Sequence, residues 1–332
     1  MDRLFSGMQP TQDAHLGNWL GAIRNWVALQ DRYECLFSVV DLHALTAPYD
    51  PVQMPVRVLD LAAAFVACGV DPAKSTVFVQ SAVPEHAELA WLLSCHTGLG
   101  ALERMTQFKD KSGQHPDNVN AGLLFYPVLM AADILAYRAK AVPVGEDQVQ
   151  HLELAREIVR KFNRAFGETF PEPQPILPKG AARRILGLDG NAKMSKSRGN
   201  AVALVDPPEE VRRLVGGAFT DPQKLRRNDP GRPEVCNVFT LHGFFTEPAR
   251  ISAIEKDCRS GALGCVDCKR ELAEGMIRGL APIRERYAAV RADEKSLRAV
   301  LHAGAERARG IARETLSLVR ERMGLVEGGR KA

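Results

Sequence analysis

Long apolar runs are missing from the 332 residues of the chain. No stretch approaches the roughly 18 apolar residues that a membrane-spanning helix needs, and the first seven residues lack the apolar core of a signal peptide. Strong net charge is missing too, because the formal charge is only +4 and does not by itself indicate a polyanionic partner. We therefore expect a cytoplasmic protein without a membrane partner.

The first two thirds of the sequence alternate short apolar runs with helical patterns. Residues 4–8, 35–40, 76–79 and 141–144 are continuous apolar runs of the kind found in buried parallel strands. Segments with helical period lie between them. This alternation predicts an α/β fold over residues 1–205, with a doubly wound parallel, Rossmann-like nucleotide-binding sheet.

Residues 206–332 have a different character, which begins at Asp206-Pro207-Pro208. Their helical pattern, rich in Arg and Glu, predicts a separate all-helical domain. The sequence leaves open whether the last helix, residues 305–323, packs back on the first domain. From residue 269 onward there are fifteen Lys and Arg against nine Asp and Glu. This positive excess fits a surface that binds phosphate groups. It fits the solvated faces of Arg-rich helices equally well.

A first nucleotide-binding signal follows the first predicted strand. The segment of residues 11–18, Thr-Gln-Asp-Ala-His-Leu-Gly-Asn, opens a helix, and a helix N-terminus offers unpaired N–H groups and partial positive charge to phosphate. Gly17 permits close approach of a nucleotide. His15 and Asn18, on one helical face, can donate hydrogen bonds to phosphate oxygens. Alone the motif is weak, because a capped turn with satisfied polar groups has the same appearance.

A second signal, Lys193-Met194-Ser195-Lys196-Ser197, is far more specific. Glycines on both sides predict a mobile loop. Two ammonium groups three residues apart suit a leaving pyrophosphate, whose charge rises as its bond to the α-phosphorus breaks. The two serines add hydroxyl donors. The alternative is an ordinary surface loop rich in Lys and Ser.

These two motifs, about 180 residues apart on a nucleotide-binding sheet, resemble those of class I aminoacyl-tRNA synthetases. The resemblance covers about the first 205 residues, and further segments are similar to the tryptophanyl-tRNA synthetase family, which shares part of the pattern with tyrosyl enzymes. These segments are residues 5–11 (FSGMQPT), 39–46 (VVDLHALT), 106–112 (TQFKDKS), 126–135 (YPVLMAADIL) and 142–154. The resemblance implies ATP-dependent activation of L-tryptophan, transfer to tRNA(Trp), a homodimer, and binding of the tRNA anticodon by the helical domain of residues 206–332.

Tyr126, Met130 and Asp133 are spaced i, i+4, i+7 and form one stripe on a predicted helix. A carboxylate on an otherwise apolar stripe is costly unless it has a partner. An indole N–H, a donor in an apolar ring, suits it, and the resemblance assigns that contact to Asp133. The alternative partner is an arginine such as Arg138. An indole site of this kind would reject phenylalanine strongly, because Asp133 would lose its bond.

The resemblance also implies roles for the rest of the site. For tryptophan it adds Tyr126 and Gln148 at the α-ammonium, and Phe5, Met130 and Val144 around the ring. For ATP it implies Gln9, Pro10, Thr11, Gly17, Asn18, Gly145, Glu146, Asp147, Ile185, Lys193, Met194, Ser195, Lys196 and Ser197. The catalytic residues would be Lys111, Lys193, Lys196, His15 and Asn18, acting with Mg²⁺. Because the tryptophan carboxylate attacks the α-phosphorus in line, no protein nucleophile is needed.

Four of the seven cysteines fall in the pattern Cys236-x21-Cys258-x6-Cys265-x2-Cys268. Without a secretion signal, such clustering favours a metal site over disulfides, and four thiolates suit zinc or a [4Fe–4S] cluster. The pattern is similar to that of some bacterial tryptophanyl-tRNA synthetases, which implies a structural [4Fe–4S] cluster. Zn²⁺ and unligated thiols are the alternatives. The remaining cysteines, predicted to be buried, are Cys35, Cys68 and Cys95.

Three other functions are compatible with parts of the pattern. A tyrosyl-tRNA synthetase would share the fold and both ATP motifs. A tRNA-independent nucleotidyltransferase of the same superfamily would share the motifs but has no need of a basic helical domain. A non-catalytic paralogue would be expected to lose motif residues, whereas both motifs and the stripe through Asp133 are intact here.

Overall fold

The computed structural model describes residues 1–114, 119–145, 148–177, 185–192, 194–195 and 198–325. A parallel five-stranded sheet lies at its centre, in the order β3-β2-β1-β4-β5. The strands are β1 (Arg3–Met8), β2 (Glu34–Val39), β3 (Thr76–Val79), β4 (Ala141–Pro143) and β5 (Gln174–Ile176). The predicted doubly wound α/β fold is confirmed. Because the strand order reverses between β1 and β4, their carboxyl ends border a crevice.

Helices cover both faces of this sheet, and loops and turns connect them. In the first part they are α1 (Leu16–Asn18), α2 (Arg24–Leu29), α3 (Asp41–Ala44), α4 (Met54–Ala67), α5 (Glu85–Ser94), α6 (Leu99–Glu103), α7 (Thr106–Gln114), α8 (Ala121–Leu135) and α9 (Val149–Phe166). A π-helical turn, Trp19–Ile23, joins α1 to α2, and a 3-10 turn, Gln80–Ala82, follows β3. Beyond residue 205 come α10 (Pro208–Gly216), a 3-10 turn (Pro233–Val235), α11 (Asn237–Phe245), α12 (Pro248–Ser260), α13 (Cys265–Ala292) and α14 (Glu294–Arg322).

The core lies in two layers, one on each face of the sheet. Successive strand residues point to opposite faces, so Leu4 packs in the layer that contains α2, α4 and α13, while Phe5 packs with α5, α8, α9 and α14. Both layers are apolar because helices shield both faces of the strands from water, which is why the strands are continuous apolar runs.

The last helix, α14, packs on the first part of the chain, against β3 and α5. Contact is closest at Gly304, where an added methyl group would overlap the carbonyl oxygen of Val77 in β3. Arg313 and Arg320 form ion pairs from α14 to Glu85 and Glu88 of α5. The helix starts at residue 294, eleven residues before the start predicted from its period.

One expectation from the sequence is wrong, and one strand was missed. Cys95 is exposed, whereas Cys35 and Cys68 are buried as predicted. Strand β5 was not predicted, because Pro175 stands at its centre and Pro173 precedes it. Proline cannot donate to a strand ladder and is tolerated at a sheet edge, where β5 lies. None of the described helices is long and apolar enough to cross a membrane.

Candidate active site

A cavity of about 640 Å³ opens at the carboxyl ends of β1 and β4, where the strand order reverses. Its walls come from β1, from the α1 and π-helical segment, from α8, and from residues 142–145. Cavities of this size and position hold small ligands in open parallel sheets. The crevice is therefore the candidate site.

Most of the residues singled out in the sequence meet at this cavity. Those that line it are Phe5, Gln9, His15, Gly17, Asn18, Tyr126, Met130, Asp133, Val144, Gly145, Gln148 and Ile185. The described residues Pro10, Thr11, Met194 and Ser195 are not part of its lining. Outside the described part of the chain lie Glu146, Asp147, Lys193, Lys196, Ser197 and the side chain of Lys111.

Asp133 is 1% exposed and receives hydrogen bonds from three side chains. Gln80 donates from Nε2 to Oδ1 at 2.7 Å, and Nδ1 of His86 is 2.5 Å from the same oxygen. Nε2 of His43 lies 2.7 Å from Oδ2. The alternative partner predicted from the sequence, Arg138, is not among them and has an exposed side chain. The carboxylate thus has protein partners before any ligand is bound.

The electrostatics keep this carboxylate ionised. Burial alone would raise the pKa of Asp133, but the charges and hydrogen bonds of His43 and His86 lower it to about 2. A carboxylate offers about four acceptor positions. Two on Oδ1 are used by Gln80 and His86, and one on Oδ2 by His43. One acceptor position on Oδ2 therefore remains for a donor in the cavity.

Tyr126 and Gln148 line the same cavity as Asp133. The Tyr126 hydroxyl is 2.7 Å from Nε2 of His151 in α9, which fixes the phenol between α8 and α9. Burial raises the pKa of Tyr126 to about 12, so the hydroxyl keeps its proton at neutral pH. The stripe of Tyr126, Met130 and Asp133 thus faces the cavity from α8, as its spacing predicts.

The two nucleotide-binding motifs are brought together by backbone pairing. His15 forms an antiparallel bridge with Ala203, and the Leu16 N–H donates to the Val202 carbonyl at 3.0 Å. The segment that follows the 193–197 loop therefore lies beside the first motif. Within that motif Asn18 Oδ1 accepts a hydrogen bond from the His15 N–H at 3.0 Å, so the amide nitrogen of Asn18 is the group that can donate to a ligand.

Described residues of the second motif are held against the first. Met194 is buried, and a methyl group added at Gly17 would lie 3.2 Å from its Cβ, so the two chains approach closely here. The Ser195 N–H donates to Asn200 Oδ1 at 2.8 Å, and Asn200 Nδ2 donates to Asp189 Oδ2 at 2.8 Å. The hydrogen bond from Asn200 lowers the pKa of Asp189. Residues 194 and 195 of the second motif therefore lie beside the first motif.

Known proteins resemble the chain over nearly its whole length. The family described as class I tRNA synthetases (W and Y) matches residues 2–281. The chain belongs to this family. A tryptophan--tRNA ligase of Deinococcus radiodurans is 48% identical over 331 residues, covering 98% of this chain and all of the relative. One from Wolinella succinogenes is 46% identical over 328 residues, covering 98% and 99%.

A solved class I synthetase has the same architecture. The tryptophanyl-tRNA synthetase of Campylobacter jejuni, complexed with ADP and tryptophan, superposes with a TM-score of 0.86 at 35% identity, covering 97% of this chain and 100% of that one. Agreement of this extent includes the helices beyond residue 205 as well as the sheet.

Sequence reasoning missed several side chains of this synthetase site. His43, Gln80 and His86 hold Asp133, but no role was predicted for them. A signal was present for two of the three, since Gln80 directly follows β3 and His43 lies four residues beyond β2. The carboxyl ends of parallel strands are where ligand-binding side chains collect. Arg57 of α4, which donates to the Thr11 carbonyl in the first motif, carries no such signal.

The four clustered cysteines of the synthetase share one neighbourhood but do not form a metal site as placed. In the described parts of the chain no three His, Cys, Asp or Glu side chains could hold a metal ion together. Burial, with the charges of Cys236, Cys258 and Cys265, raises the pKa of Cys268 to about 12, so this thiol is protonated at neutral pH. A metal needs thiolates. Because a bound metal displaces the protons of its thiol ligands, it is the placement of the side chains, and not this pKa, that departs from a metal site in the described residues.

Proposed function

We propose that the chain is a tryptophan--tRNA ligase, which activates L-tryptophan with ATP and transfers it to tRNA(Trp). Curated relatives of that activity are 46–48% identical over nearly the full chain. The C. jejuni structure, whose ligands are ADP and tryptophan, supports a nucleotide and an amino acid as the small ligands.

One observation in the structure carries the choice of amino acid. Asp133 is an ionised carboxylate at an otherwise apolar stripe, with one acceptor position left on Oδ2. Indole is a large apolar ring with a single N–H donor. We infer that Asp133 accepts the indole N–H, that Phe5, Met130 and Val144 pack the ring, and that Tyr126 and Gln148 hold the α-ammonium.

The proposed chemistry is positioning and charge stabilisation. The tryptophan carboxylate attacks the α-phosphorus in line, and pyrophosphate leaves with the Mg²⁺ that accompanies ATP as substrate. His15, Asn18, Lys111, Lys193 and Lys196 would stabilise the developing charge, because fixed donors and cations act most strongly where charge appears in the transition state. The hydroxyl of the tRNA terminus then attacks the adenylate.

The ATP contacts follow the same proposal. The residues assigned to ATP are Gln9, Pro10, Thr11, Gly17, Asn18, Gly145, Glu146, Asp147, Ile185, Lys193, Met194, Ser195, Lys196 and Ser197. Pairing of His15 with Ala203 supports a shared nucleotide site, since it brings the segment that follows the second motif beside the first motif.

Amino-acid-dependent ATP–pyrophosphate exchange tests the proposal. We expect exchange with tryptophan and none above background with tyrosine, since the acceptor on Asp133 is placed for a ring N–H. Charging of tRNA(Trp) transcript should follow with the same amino acid. Exchange with tyrosine alone would instead identify a tyrosyl enzyme. Exchange with tryptophan but no charging and no retardation of tRNA on a gel would identify a tRNA-independent nucleotidyltransferase.

Two finer features belong to the same proposal. A homodimer is supported by the family resemblance, and light scattering of the purified protein tests it. A structural [4Fe–4S] cluster at Cys236, Cys258, Cys265 and Cys268 is supported by their spacing and by their shared neighbourhood. Forming it would require the four sulfurs to move toward one centre and to lose their protons.

Metal analysis of anaerobically purified protein distinguishes the possibilities for these cysteines. We expect about four iron atoms per chain with matching sulfide and broad visible absorption, and loss of both in Cys265→Ser. Cys35→Ser, a change to a buried cysteine outside the cluster, is the matched control. One zinc per chain, or no metal with all seven thiols alkylatable after unfolding, would refute the iron–sulfur assignment.

A further inference from the structure

We propose that His86 is a positioning residue for tryptophan recognition: with Tyr137 behind it, it holds the Asp133 carboxylate so that Oδ2 faces the indole N–H. This inference rests on the proposed function, because it concerns how the same pocket recognises its amino acid. Neither His86 nor Tyr137 is among the described residues that line the cavity, so both act through Asp133.

The three side chains form a buried row. His86 and Tyr137 are 0% exposed and Asp133 is 1% exposed. Nδ1 of His86 is 2.5 Å from Asp133 Oδ1, and Nε2 of His86 is 2.5 Å from the Tyr137 hydroxyl. The rings of Phe5 and Phe78 lie 6.5 and 6.1 Å from the His86 ring, centroid to centroid, and limit its rotation.

The direction of the hydrogen bond to Asp133 is fixed by chemistry. An ionised carboxylate only accepts hydrogen bonds, so Nδ1 of His86 carries a proton and donates it. At the other side of the ring, the Tyr137 hydroxyl is paired with Nε2 and holds the imidazole in place. The row therefore runs from Tyr137 through His86 to Asp133, and His86 is the group that donates to the carboxylate.

As a result, the two oxygens of Asp133 differ in the acceptor positions that they leave open to a ligand. His86 and Gln80 together use both positions on Oδ1, while His43 uses only one on Oδ2. Removing His86 frees a position on the wrong oxygen and lets the carboxylate rotate. Loss of His86 should therefore weaken the binding of substrates that donate an N–H to Asp133. It should hardly change the binding of substrates that donate none.

The test compares tryptophan with its analogue β-(benzothiophen-3-yl)alanine, in which sulfur replaces the ring N–H. In His86→Leu we expect KM for tryptophan to rise about tenfold, the scale of a hydrogen bond to a charged group. Meanwhile kcat, KM for ATP and KM for the analogue should stay within about twofold. His86→Asn, whose amide nitrogen can occupy the place of Nδ1, should recover most of the loss.

Two further variants keep the test decisive if His86→Leu does not fold. Tyr137→Phe removes one hydroxyl and keeps the ring, and should raise KM for tryptophan about threefold without affecting the analogue. His96→Leu, at a histidine that packs between Phe162 and Phe166 outside the pocket, is the matched control. Equal rises for both substrates, or no rise for tryptophan, would overturn the positioning role. If the unaltered protein gives no exchange with tryptophan, the proposed function itself has failed.

Discussion

Asn in place of Asp133 is expected to lower kcat/KM for tryptophan by about a hundredfold. The substitution keeps the shape of the side chain but removes the negative charge that accepts the indole N–H. It also places an amide N–H among groups that already donate, namely those of His43, Gln80 and His86. The decrease in kcat/KM should come from a higher KM for tryptophan, and KM for ATP should stay unchanged because the ATP motifs lie on other elements. Exchange kinetics with varied tryptophan and varied ATP measure it.

Asp31→Asn provides the control for this substitution, because the same chemical change falls on a side chain that is 76% exposed. Its kinetics should match those of the unaltered chain. Selectivity adds a second readout. Asp133 keeps three protein donors when phenylalanine is bound, so discrimination against phenylalanine depends on one missing bond and not on an isolated charge. An Asp133→Asn variant with unchanged preference for tryptophan over phenylalanine would contradict the assignment of Asp133.

Gly304→Ala should destabilise the protein by about 3 kcal/mol, although the residue lies far along the chain from the catalytic motifs. A methyl group there overlaps the Val77 carbonyl oxygen, so α14 must move away from β3. This movement would loosen the buried contacts of Ala305 and Ala308 with the sheet. The midpoint of urea or thermal unfolding measures the loss.

Gly310→Ala is the matched variant on the same helix. Nothing lies within 4 Å of an added methyl group at that position, so alanine should stabilise the helix by up to about 1 kcal/mol. The two substitutions are chemically identical and differ only in what the methyl group meets. Equal unfolding midpoints for the two variants would show that α14 does not press on β3 in solution.

Much of the fold could be predicted because buried parallel strands carry a strong pattern. Strands β1, β2, β3 and β4 coincide with continuous apolar runs, and their alternation with helices specifies the class. Strand β5 has two prolines and only three residues, so local pattern could not reveal it. The extent of α14 was underestimated, since its first turns are polar on most sides and period alone does not mark where they begin.

The residues of the site also differ in whether the nearby sequence could reveal them. The stripe of Tyr126, Met130 and Asp133 is set by helical spacing, which the sequence displays directly. The donors to Asp133 come from residues 43, 80 and 86, on segments that only the folded sheet brings together. A buried carboxylate predicts that partners exist, but an arginine was the alternative chosen from nearby sequence. The spacing of the four cysteines likewise shows which ligands are available for a metal, but it does not give the positions of their sulfurs.

The seating of α14 on β3 and α5 has a consequence for biosynthesis. Residues 294–322 are translated after all five strands, so one side of the nascent sheet has no helix over Val77 and its neighbours until this helix has emerged from the ribosome. A fragment that stops at residue 205 would keep that apolar side uncovered for good, and we expect it to aggregate or to need a chaperone. Folding of the catalytic half thus depends on a helix that is synthesised well after it.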